Sequence, residues 1–109
     1  MHTPVVAAGP FLVSSGQIGI ADGAIVEGGL EAQLRQAMAN LAAVLESAGG
    51  RLDQVVKTTV FMTSMDDYAT MNSVYVELFG DHRPARSAVA VKELPLGALI
   101  EIEALAYTG

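Results

Sequence analysis

The chain has 109 residues, of which 51% are hydrophobic, and its twelve acidic and six basic side chains leave a net charge of −6. That length suits a single domain, residues 1–109, around one core, and the apolar content excludes intrinsic disorder. Arg35, Arg51, Arg83, Arg86, Lys57 and Lys92 are scattered too widely to build a basic stripe for nucleic acid, and the absence of cysteine excludes disulfides, thiolate nucleophiles and iron–sulfur or zinc–cysteine centres.

The first elements expected are strands. Residues 11–20 lead through Ala21-Asp22-Gly23 into Ala24-Ile25-Val26, and an Asp-Gly pair between β-prone runs signals a hairpin. Leu30, Leu34, Ala37, Met38, Leu41, Leu45 and Ala48 then recur at three- and four-residue steps, which predicts a helix over 30–48 ended by Gly49-Gly50. Glu31 complements its dipole, and Arg35, Gln36, Asn40 and Glu46 read as its wet side. Residues 55–63 are dense in β-branched side chains and predict a central strand with Val56, Thr58, Val60 and Met62 on one face. Ser64-Met65-Asp66-Asp67 reads as a capping box for a second helix with an apolar stripe of Tyr68, Met71, Tyr75, Leu78 and Phe79, ended by Gly80. Residues 87–91 and 99–106 alternate as two further strands, with Leu94-Pro95-Leu96-Gly97 as the turn between them.

This order predicts an α+β fold with a mixed sheet of about five or six strands. Two helices cover only one face of such a sheet. The other face needs a partner, and a second copy closing into a symmetric ring would line clefts between subunits. No apolar run approaches the roughly 20 residues of a spanning helix, so no membrane partner is expected and the cytoplasm is the expected compartment.

Arg86, Ala88, Ala90 and Lys92 share one side of their strand, so the Arg86 fork has room beside it for a carboxylate. An ordinary surface arginine or an ion-pair partner satisfies the same spacing. Glu101 and Glu103 lie two apart on an otherwise apolar strand. Buried at an interface, one of them is a candidate general acid or base; open to water, they are simply the polar side of an amphipathic strand. Asn72 is a candidate donor to a ligand or a solvent-facing amide, and Gly16, after Ser14-Ser15, permits close backbone approach. Two isolated histidines, His2 and His82, make no metal pair, and the chain has no nucleotide-binding glycine loop.

Ser15-Gly16-Gln17-Ile18, residues 56–61 (Val-Lys-Thr-Thr-Val-Phe), Met71-Asn72 with Tyr75, Pro84-Ala85-Arg86-Ser87 and residues 100–104 (Ile-Glu-Ile-Glu-Ala) together resemble the Rid (YjgF-type) reactive-intermediate deaminase family over about residues 8–106. The resemblance implies a chorismate-mutase-like fold, a homotrimer with sites between subunits, and cofactor-free deamination of 2-aminoacrylate or 2-iminobutanoate-type imines and enamines to 2-oxo acids and ammonia. In that scheme Arg86 holds the substrate carboxylate and Glu101 positions or activates water. Ser15, Gly16, Asn72, Ser87 and Ala88 complete the expected substrate contacts, and no metal is implied. Ala88 stands where the family often has cysteine. His2 stands roughly where a Gly-Pro-Tyr tyrosine of the family aligns, either replacing it or lying in a frayed terminus. A non-catalytic trimer that binds small carboxylates or partner proteins is the alternative, with the family's sometimes-attributed ribonuclease activity disfavoured by the acidic balance.

Overall fold

A computed structural model of the chain describes residues 3–109. His2, and with it the question of the tyrosine it stands for, lies outside the described residues. β1 (Val5–Ala8) and β2 (Phe11–Ser14) form a hairpin around Gly9-Pro10, and β3 (Gln17–Ile18) follows. β4 (Ile20–Ala21) and β5 (Ala24–Ile25) make the expected Asp-Gly hairpin. Asp22 and Gly23 take φ of 54° and 81°, the left-handed pair that matches strand twist. Then come α1 (Gly29–Ser47), β6 (Val55–Met62), α2 (Tyr68–Phe79), β7 (Ala85–Ala90) and β8 (Ile100–Tyr107).

The six-stranded sheet runs β1-β2-β8-β6-β7, and β3 pairs with β8 beyond the end of β2. Only β6 and β7 run parallel, because α2 carries the chain back between them. Both helices pack on one face. Leu34, Leu41 and Leu45 of α1 and Met71, Tyr75 and Phe79 of α2 close over Val60, Met62, Ile100 and Ile102. Among the described residues nothing covers the opposite face, which presents Phe11, Val13, Val89 and Tyr107 among its exposed large apolar side chains.

Four local expectations change. A register irregularity between Val55 and Lys57 turns Val56 out to 44% exposure and puts Val55 in the core instead, since a bulge inserts one unpaired residue and flips the alternation. Ser64 does cap, its Oγ accepting from the Asp66 N–H at 3.1 Å, but it opens a 3-10 turn over Met65–Asp67 before α2 begins. Tyr68 is 39% exposed rather than core. Asn40 is no wet-side residue: its Nδ2 donates to the carbonyls of Ile18 (3.1 Å) and Ile20 (3.0 Å), tying α1 to the strand margin.

Candidate functional site

Arg86 lies opposite Thr58 in the parallel register, so its side chain rises from the helix-covered face at the sheet margin formed by β7. Its guanidinium carbon stacks 4.7 Å from the Tyr75 ring centroid and 5.7 Å from that of Tyr68. Nη2 donates to the Tyr68 hydroxyl at 2.9 Å, and Nη1 lies 4.0 Å from the Met71 sulfur. Tyr75 is itself fixed by a 2.7 Å hydrogen bond to buried Thr58, and burial pushes its phenol pKa up, keeping the floor neutral. The ion pairs among the described residues involve Arg35 and Arg51, none Arg86. A half-buried guanidinium on an aromatic floor, with N–H groups to spare and no carboxylate beside it, is built to receive an anion. Ala88, two residues on, keeps that face of β7 low.

Glu101 occupies the other face of the sheet. In the pairing of β6 with β8, Thr58, Val60 and Met62 meet Ala104, Ile102 and Ile100, while Phe61 meets Glu101 and Thr59 meets Glu103. The Glu101 carboxylate lies directly over Gly16, where a Cβ would meet it unless the glutamate side chain moved aside. Together with Pro4, Gln17, Ile18 and Pro95 these two line a cleft of about 370 Å³. Burial first, and the neighbouring Glu103 charge second, hold the Glu101 carboxyl above the usual carboxylate range.

The remaining expected site residues divide between the two faces. Ser15 precedes Gly16 in the chain but does not line the Glu101 cleft, and its Oγ–H donates to the Thr3 carbonyl at 2.6 Å, so its side chain has only an acceptor left to offer. Asn72 is half-buried one turn along α2 from Tyr68, on the Arg86 side. Ser87 points to the uncovered face and accepts from Lys57 Nζ at 2.8 Å, away from Arg86. One chain therefore carries two separate candidate clusters, Arg86 with its aromatic frame and Glu101 with Gly16, at different margins and on opposite faces of the sheet. His82 is structural, its Nε2 bonded at 2.6 Å to the Val55 carbonyl. The aromatic frame escaped sequence reasoning, although Tyr68, Met71 and Tyr75 at helical spacing beside a Thr-rich strand carried the signal.

The α+β fold, two helices on one face of a six-stranded mixed sheet, is that of a known family. The family model described as endoribonuclease L-PSP matches residues 2–108, and the chain belongs to that family, the YjgF/Rid group. It is 48% identical over 108 residues to a RutC family protein of Pyrococcus horikoshii, covering 97% of this chain and 86% of the relative. It is 42% identical over 97 residues to the Mus musculus 2-iminobutanoate/2-iminopropanoate deaminase, covering 87% and 72% respectively. The crystal structure of Escherichia coli YjgF superposes with a TM-score of 0.94 at 38% identity, covering all of this chain and 89% of that one. No helix among the described residues is long and apolar enough to cross a membrane, and those residues hold no cluster of three or more potential metal ligands.

Proposed function

We propose that the chain hydrolyses short 2-imino and 2-enamino acids to 2-oxo acids and ammonia, without a cofactor, as a cytoplasmic homotrimer whose sites lie between subunits. The observation that carries this reading is Arg86: a half-buried cation seated on Tyr75 with no carboxylate partner among the described residues. Burying a charge unpaired is costly unless a ligand completes it, and a bidentate carboxylate fits the fork.

Glu101 of a neighbouring copy supplies the proton-transfer group. Its pKa is raised, by burial first and the Glu103 charge second, which makes the carboxylate a better proton acceptor than an ordinary one. Water adds to the carbon of the protonated imine as the carboxylate takes one water proton, and that proton then passes to the carbinolamine nitrogen. As the C–N bond breaks and ammonia leaves, the hydroxyl gives its own proton back to the carboxylate and becomes the carbonyl of the 2-oxo acid. Imines hydrolyse readily on their own, so orientation and one transfer group suffice. The name of the mouse relative supports the substrate class. The net charge of −6 argues against the ribonuclease that the family's description suggests, since few cations are available for a phosphate backbone.

The test is release of 2-oxobutanoate from 2-iminobutanoate generated enzymatically in the assay. Arg86→Ala should remove the acceleration while leaving the circular dichroism spectrum and assembly unchanged. Retention of wild-type rates by a folded Arg86→Ala protein rules the reading out. Equal rates with and without the unmodified protein, alongside saturable 2-oxo acid binding, would favour a non-catalytic carboxylate-binding trimer instead.

A further inference from the structure

The contact between Arg86 and Tyr68 fixes the role of a hydroxyl. A guanidinium has donors only, so the 2.9 Å contact makes the Tyr68 oxygen the acceptor. Its own proton must then point elsewhere. This contact is the one hydrogen bond the Tyr68 side chain makes among the described residues, which leaves that O–H free as a donor beside the unused N–H groups of Arg86. The ring is 39% exposed and starts α2, so its hydroxyl meets Arg86 where water reaches it, whereas Tyr75 is buried. As a cover for the cation alone the ring is poorly placed, its centroid 5.7 Å from the guanidinium against 4.7 Å for Tyr75.

We propose that Tyr68 is a second carboxylate-binding group: its phenol accepts from Arg86 and donates to the same substrate carboxylate that Arg86 grips. The pair then presents donors of two kinds to one anion, and it selects the free acids of short 2-oxo and 2-imino compounds over their neutral amides. Arg86 contributes charge and orientation, while Tyr68 adds a directed hydrogen bond that a neutral carboxamide, with one acceptor oxygen instead of two, cannot accept while also filling the fork. This proposal rests on the reading of Arg86 as the substrate anchor.

Tyr68→Phe keeps the ring and removes only the oxygen. Calorimetric titration of the full-length chain with 2-oxobutanoate, and with 2-oxobutanamide as the neutral probe, compares wild type, Tyr68→Phe and Arg86→Ala. Loss of a hydrogen bond to a charged ligand should raise the 2-oxobutanoate Kd, and KM for 2-iminobutanoate, about tenfold, with kcat within about twofold and amide binding unchanged. The chain has three tyrosines and no tryptophan, so a change in tyrosine fluorescence on adding 2-oxobutanoate should be present in wild type and largely lost in Tyr68→Phe. Wild-type Kd and KM in a folded Tyr68→Phe protein, with Arg86→Ala inactive and unable to bind, overturn the role of Tyr68 and spare the anchor. Undiminished binding by Arg86→Ala would overturn the anchor and the proposal together.

Discussion

The burial of the Glu101 carboxyl sets a sign that stability measurements can read. Its carboxyl pKa is raised in the folded chain, chiefly by burial and secondarily by Glu103, so the native state binds this proton more tightly than the unfolded state does. Below the ordinary carboxylate pKa both states are protonated and nothing is lost. As pH climbs through the raised folded value, the ionised carboxylate weighs against folding. Glu101→Gln removes that penalty and keeps the shape, so its Tm advantage over wild type should grow as pH rises through and above the ordinary carboxylate range. Thermal melts across that range check it, and a pH-independent gap would mean that the site does not disfavour the charge. The variant should at the same time lose turnover, since the amide cannot exchange the proton. Stability gained where activity is lost is the mark of a strained functional group rather than a structural one.

α1 supports the Glu101 cleft from behind through a line of amides that its polar face had concealed. Gln33 Oε1 accepts from the Leu99 N–H at 2.8 Å, just before β8, and Gln36 Nε2 donates to Asn40 Oδ1 at 2.9 Å, orienting the amide that holds the carbonyls of Ile18 and Ile20. Asn40→Ala leaves those two half-buried carbonyls without their donor, which should cost about 1–3 kcal/mol in urea unfolding. A loss under about 0.5 kcal/mol would mean that water replaces the amide without penalty. This is also where sequence reading reached its limit. Periodicity located α1, because seven apolar positions repeat on one face, and Asp22-Gly23 marked its hairpin, because left-handed backbone at that turn is tolerated by few residue pairs. Periodicity records only which side is apolar, however, so Asn40 on the polar side looked solvated although it faces a strand margin. Strand alternation placed Arg86 with Ala88 and Glu101 with Glu103, each correctly within its own strand. It could not relate the two strands to each other, since register and layering come from tertiary packing. The bulge at Val56 and the outward turn of Tyr68 were hidden for the same reason: both depend on a partner element that no local pattern contains.

The uncovered sheet face and the divided site have a common explanation in assembly. Val6, Phe11, Val13 and Tyr107 are 52%, 37%, 44% and 45% exposed on adjoining strands, a contiguous apolar surface of the kind that a subunit interface hides. Arg86 and Glu101 cannot meet in one chain because the sheet stands between them. In the ring proposed above, the β7–α2 margin of one copy would meet the Glu101 cleft of the next, and each site would take its anchor and its proton-transfer group from different chains. Mixing two inactive variants tests this directly. In Arg86→Ala and Glu101→Gln trimers alone, every site is defective. After equal amounts are dissociated and reassembled together, a site is intact when its Arg86 comes from a Glu101→Gln chain and its Glu101 from an Arg86→Ala chain. Random mixing makes that about a quarter of all sites. Activity should therefore return to about one quarter of wild type, while each variant carried alone through the same treatment stays inactive. If mass spectrometry shows mixed trimers and activity does not return, the two residues do not share a site across the subunit boundary.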